Sequence, residues 1–315
     1  MKTRILGMAI GLGALWSMSP GCSQPAPECT VGTATAYPFA TKLYLQSGDA
    51  TCNPSFEAYQ SEEMGMQVYN PDDGSGQVDT ERRLVAIQTV TAGNYERNGE
   101  GLVEGSVAYS LGEFEGANPN EQNFCVAPTL STARVTLPLI PGEEGGGGAG
   151  GGPPPPPIQD EVDIEIAWSD LQVYVTTANL GNQAQGTMTY TDHLKECSAT
   201  YKVVMLWPTV HCEEMAYFAQ TDPPDPEVPD DEGTPCDPIG DPASCVPCDP
   251  EQNPLCEAYP TGRPNNALCD QEPDPQGPYF LNTGSGIASD LTVVCDPLSL
   301  LCIQDTDSVQ TPQND

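Results

Sequence analysis

Apolar and polar residues alternate with a period of two along much of the first 220 residues, the period of a strand with one buried face. Val103, Gly105, Val107, Tyr109 and Leu111 alternate with Glu104, Ser106, Ala108 and Ser110. Val135, Leu137 and Leu139 alternate with Arg134 and Thr136, and Pro138 marks an edge or a bulge. Val162, Ile164, Ile166 and Trp168 sit at even positions, whereas Leu171, Val173 and Val175 sit at odd ones, so a register break is expected at Ser169-Asp170. Thr200 to Trp207 is apolar on both faces and reads as a central strand. Residues 84–91 and 186–192 read as further strands. Turn signals separate them at Asn70-Pro71-Asp72-Asp73-Gly74, Asn98-Gly99 and Asn118-Pro119. A short helix is expected near Glu213–Gln220. The pattern predicts an all-β body over residues 29–221, an antiparallel β-sandwich with a β-barrel as the alternative.

Residues 142–157 (GEEGGGGAGGGPPPPP) break the pattern. The glycines are flexible, and the five prolines make a stiff stub of roughly 15 Å. A surface loop within one domain is expected rather than a linker, because residues 158–212 hold only about four strands, too few for a core of their own. Residues 222–315 change character, with 7 cysteines, 17 of the 33 prolines, and 19 acidic residues against Arg263 alone. They read as an irregular, disulfide-rich, acidic region.

The start of the chain reads as an export signal. Lys2 and Arg4 precede an apolar run from Ile5 to Met18 that is too short and Gly-interrupted to span a bilayer. Ser19-Pro20-Gly21-Cys22 resembles the lipobox of bacterial lipoproteins, although Ser19 stands where leucine is usual and Pro20 is atypical. Cleavage after Ser19 instead would put Pro20 just past the cut and leave an odd cysteine. Residues 1–21 are therefore expected to be removed, Cys22 to be lipidated, and residues 22–28 to form an anchor and tether. A lipoprotein cysteine carries several acyl chains, which anchor stably. Ser23 after the cysteine implies the outer membrane by the usual proteobacterial sorting rule.

Charge narrows the partners. The mature chain keeps all 45 acidic residues and, without Lys2 and Arg4, 8 basic ones, a net charge of −37. Such a field repels nucleic acid and anionic headgroups, so no nucleic-acid partner is expected. Divalent cations and basic regions of other envelope proteins are the natural counter-charges.

Setting Cys22 aside, twelve cysteines remain as disulfide candidates: Cys29, Cys52, Cys125, Cys197, Cys212, Cys236, Cys245, Cys248, Cys256, Cys269, Cys295 and Cys302. Five precede residue 222 and seven follow it. Both counts are odd, so full pairing requires at least one bridge between body and tail. Cys197 and Cys212 could pair with each other only if the chain folded back near Trp207-Pro208. The connectivity stays open.

Motifs for chemistry are weak. Cys245-Val-Pro-Cys248 has the C-x-P-C form of redox sites, but Pro242 before it and Asp249-Pro250 after it leave no strand–helix frame, and acidic neighbours raise a thiol pKa. Zinc on Cys236, Cys245, Cys248 and Cys256 fits by spacing, yet an oxidising envelope favours disulfides. The only histidines are His193 and His211, and neither a G-x-S-x-G elbow nor H-E-x-x-H occurs. The Asp222–Glu232 run and three Cys-Asp-Pro units could hold calcium, though Asp-Pro is also an ordinary turn start. No catalytic residue, cofactor or resident metal is expected.

Three segments carry a resemblance: Phe124-Cys125 to Ser131; Ala167-Trp168-Ser169 with Cys197 to Tyr201 and Trp207-Pro208; and Thr283 to Gly286 with Cys295-Asp-Pro297 and Cys302. Together they resemble uncharacterised predicted outer-membrane lipoproteins of myxobacteria and related Gram-negative bacteria. The resemblance implies an envelope lipoprotein and brings no activity or functional residues. A non-enzymatic structural or interaction role is expected. The alternative is a ligand- or calcium-binding module around Trp168, Tyr174, Tyr190 and Trp207, and an envelope hydrolase ranks third.

Overall fold

A computed structural model describes residues 27–32, 38–142, 156–220, 245–249, 256–270 and 285–311. The export signal, Cys22, Cys236, the Asp222–Glu232 run and most of the Gly/Pro-rich loop lie outside them. The fold is mostly antiparallel β, with open sheets and several disulfides. Its elements in chain order are β1 (Phe39–Gly48), α1 (Pro54–Tyr59), β2 (Glu63–Tyr69), β3 (Leu84–Thr89), α2 (Val90–Asn98), β4 (Ser110–Glu113), β5 (Phe124–Thr129), β6 (Ala133–Leu137), β7 (Val162–Val175), β8 (Leu180–Asp192), β9 (Cys197–Leu206), β10 (Glu213–Gln220), β11 (Cys245–Pro247), β12 (Glu257–Pro264), β13 (Val293–Cys295) and β14 (Cys302–Gln304).

Nine strands make one sheet in the order β4-β3-β2-β1-β9-β8-β7-β5, with β6 also on β7. The fourteen residues of β7 serve two short partners on one edge: β6 pairs with Val162 to Ile166, and β5 with Ser169 to Tyr174. Between them Asp170 adopts φ 52° and the pairing with β8 slips. The extra residue restores Leu171, Val173 and Val175 to the inner face already occupied by Ile164, Ile166 and Trp168, the work of a β-bulge. The sheet is not closed into a barrel. Its ends meet only through isolated bonds, including Ser131 N to Leu111 O at 2.6 Å and Glu115 N to Val126 O at 2.9 Å. All nine strands except β4 send buried side chains into one contiguous core.

β9 occupies the middle of the sheet and is buried on both faces for two reasons. Tyr201, Val203 and Met205 point into the core. Val204 and Leu206 alternate with them, and Leu206 is covered by Ile287, Leu291 and the buried cysteines of the C-terminal segment. That segment is tied across by Lys42 to Asp296 at 2.8 Å and by Gln304 Nε2 donating to Met205 O at 3.1 Å. Gln183, fully buried on β8, donates to Gln310 O and accepts from Gln310 N, so the tail's backbone finds partners where a ladder is lacking.

Several expectations are corrected. Glu213–Gln220 is strand β10, paired with β11 and β12 in a separate three-stranded sheet, not a helix. Residues 103–109 are not one continuous strand: the chain turns at Glu104-Gly105, with Gly105 at φ 90°, Val107 makes a single antiparallel bridge to Arg134, and a strand begins at Ser110. Helices α1 and α2 were not foreseen. α2 starts because Thr89 accepts from Ala92 N and the buried Glu62 accepts from Thr91 N at 2.8 Å, two caps on a helix of weak formers. Ile140 and Gln159 bridge each other, so the Gly/Pro-rich segment leaves and re-enters within the β6–β7 hairpin.

Candidate functional site

Disulfides organise both ends of the molecule. Cys29 pairs with Cys125, Cys52 with Cys197, Cys212 with Cys295, Cys248 with Cys256, and Cys269 with Cys302. Cys245 is also disulfide-bonded. Cys197 and Cys212 therefore take separate partners, and Cys248 pairs away from Cys245, which removes the vicinal redox bridge that C-x-P-C would need. Cys212–Cys295 links residues before 222 to residues after it. The sulfurs of Cys212, Cys269 and Cys302 lie within 4.8 Å of one another because two bridges stack. Metal ligation needs thiolates, which these bridges do not offer.

The chain enters at one pole of the sheet. Asn118 Nδ2 donates to Pro27 O at 2.9 Å, Cys29 N donates to Ala117 O at 2.8 Å, and Arg83 pairs with Glu28. Cys29 and Val31 are buried in the core. Residues 30–31 cross β8 at Gly181, where a Cβ would meet Thr30 O at 2.2 Å and φ is +76°, so only glycine fits. From Gly181, β8 runs to Asp192 at the opposite pole, about 36 Å away at strand rise.

At that far pole the curled sheet leaves an open mouth, a cavity of about 510 Å³ between α2, the entry to β7 and the β8–β9 turn. Leu137, Ile164, Tyr95 and Tyr190 supply its apolar walls; Asp160, Asp192 and Lys195 supply charge. Asp192 is buried, accepts from Leu194 N and Lys195 N at 3.0 Å, and has Lys195 Nζ at 3.4 Å. Burial, with the neighbouring Tyr95, Asp192 and Glu62, pushes the Tyr190 phenol far above its ordinary value. Burial likewise raises Tyr95, with Asp192, Glu62 and Asp160 adding to it.

The four aromatics suggested as a ligand face are not brought together. Trp168 and Tyr174 are buried, Trp207 packs over Gly32 near the chain entry, and Tyr190 alone of the four lines the cavity. His193 lies 3.4 Å from Glu165 and His211 3.7 Å from Glu63, at separate places on the surface. Asp296, in one Cys-Asp-Pro unit, is engaged by Lys42 and Ser299 rather than free for calcium. The cavity was not legible in the sequence; the one signal was Tyr190 and Asp192, inward-facing polar residues at the end of an otherwise apolar strand face. Among the described residues no helix is long and apolar enough to cross a membrane.

No curated protein and no solved structure matches the chain. The family model MlpA matches residues 37–208, more than half of the sequence and the whole span from β1 to β9. On that match, the chain belongs to the MlpA family.

Proposed function

We propose that this protein is a lipid-anchored, non-enzymatic component of the bacterial envelope, held at the outer membrane through acylated Cys22. Its disulfide-fastened β body serves a structural or interaction role towards other envelope proteins or divalent cations. The name of the family agrees with a lipoprotein. The observation that carries the reading is the pinned chain entry. Pro27 and Cys29 are fixed to the body, and Pro27 lies five residues after Cys22. Five residues reach at most about 18 Å, so an acylated Cys22 would hold the entry pole close to the bilayer and turn the cavity away from it. A net charge of −37 on the mature chain favours cationic partners and disfavours nucleic acid.

Mass spectrometry of the mature N-terminal peptide, with fractionation of inner and outer membranes, tests this. The expected result is an acylated Cys22 in the outer-membrane fraction. An unmodified Cys22, or a mature chain beginning at Pro20, defeats it.

A further inference from the structure

We propose that the cavity at the far pole binds a small organic cation, a protonated amine carried on an apolar body. At about 510 Å³ it has the size of an ordinary small-molecule site. Its chemistry is two-sided. Leu137, Ile164 and the rings of Tyr95 and Tyr190 offer apolar and π surface, and a cation is attracted to the face of an aromatic ring. Asp160 and Asp192 stand at the same opening, and the only lysine or arginine lining it is Lys195, whose ammonium is drawn to Asp192. Among the described residues Asp160 makes no hydrogen bond or ion pair, so the opening keeps uncompensated negative charge.

Tyr190 provides the second, independent sign. The residue is 3% exposed, yet among the described residues its hydroxyl has no hydrogen-bond partner. Tyr190 lines the cavity, and its hydroxyl is not among the fully buried unpartnered atoms, so it can bond to what enters the opening. A divalent metal fits less well. It needs several oxygens converging on one point, and the described residues bring no three carboxylates that close; their one convergent set is the disulfide-bonded Cys212, Cys269 and Cys302.

The site requires no lipid anchor, so it stands or falls separately from the reading of Cys22. Titration calorimetry on the oxidised full chain tests it with benzylammonium, its neutral counterpart benzyl alcohol, and calcium chloride. Benzylammonium is expected to saturate one site at millimolar concentration or below, with benzyl alcohol at least about tenfold weaker. Asp160→Asn and Asp192→Asn are each expected to weaken benzylammonium about five- to tenfold; asparagine at 192 still accepts from the turn amides. Tyr190→Phe, which removes only an unpartnered hydroxyl, is expected to weaken it severalfold and keeps the test decisive if Asp192→Asn unfolds. No saturation below about 10 mM overturns the proposal. So does equal binding of the alcohol, indifference to all three substitutions, or calcium binding that depends on the same aspartates and excludes the amine.

Discussion

Replacing Cys212 and Cys295 together by alanine should loosen the C-terminal segment from the sheet. Their Cα atoms are 5.8 Å apart and 83 positions apart in sequence. With Cys248–Cys256 and Cys269–Cys302 intact, a covalent path of no more than about 58 residues still joins them, and closing a loop of that size removes about 4 kcal/mol of entropy from the unfolded chain. Both residues are buried among Leu206, Ile287 and Leu291, so alanine avoids placing an unpaired hydroxyl there. A loss of about 4 kcal/mol corresponds to a fall in thermal midpoint of about 6 °C for a chain of roughly 300 residues. Amides at residues 300–304 should exchange faster before global unfolding, because Cys212 N to Leu300 O and Cys302 N to Val210 O cross the same seam. Removing Cys248–Cys256, only 8 positions apart, should cost less, about 2.5 kcal/mol by the same relation. Calorimetry and hydrogen exchange on the oxidised proteins read both effects. A midpoint for the Cys212/Cys295 variant within about 2 °C of the parent would refute the argument and show that packing alone holds the segment.

Tyr201 is fully buried and its hydroxyl has no partner, while burial, with Asp49 adding to it, pushes its pKa up to about 12; Tyr201→Phe should leave stability unchanged or raise it by up to about 1 kcal/mol in urea unfolding. Lys42→Met strands the buried Asp296 and should cost about 3 kcal/mol. Burial raises the Asp296 pKa, but the Lys42 and Ser299 hydrogen bonds outweigh it and hold the carboxyl below its ordinary 3.8. The stability Asp296 contributes is therefore present above that value and lost as pH falls through the lowered one, a dependence Lys42→Met should reduce. Glu62 has the opposite sign: burial lifts it above its ordinary 4.5 against the Thr91 and Thr89 bonds. The folded state then holds its proton longer than the unfolded one, so stability falls as pH rises from about 4.5 to the folded value. Glu62→Gln should abolish that decline in unfolding curves taken at several pH values.

The parity change within residues 162–175 foretold the bulge at Ser169-Asp170, since a buried face must be regained after an inserted residue. The two-faced run at Thr200–Trp207 foretold a central strand, though not that Leu206 would be covered by the chain's own tail. Residues 213–220 misled because Glu, Met, Ala and Gln are good helix formers, and pairing with β12 overrode their propensity. Val103–Leu111 misled because its alternation is broken: Gly105 at φ 90° turns the chain, and only a bridge at Val107 and the start of β4 at Ser110 pair as strand. Helix α2 was hidden because Val90, Thr91, Gly93 and Asn94 are weak formers, and one of its two caps, Glu62, comes from a distant position.

The sequence by itself determined the class of fold, the face that β7 buries on either side of its bulge, and the need for a covalent link between body and tail. These follow from local period and from parity, which are properties of one stretch or of a count. Only the tertiary structure decided that Cys212 takes Cys295 and Cys197 takes Cys52, that Gln183 receives the backbone of Gln310, and that Tyr95, Tyr190, Asp160 and Asp192 share one opening. Those choices depend on which distant segments meet when the sheet curls, and no single stretch of chain encodes that meeting.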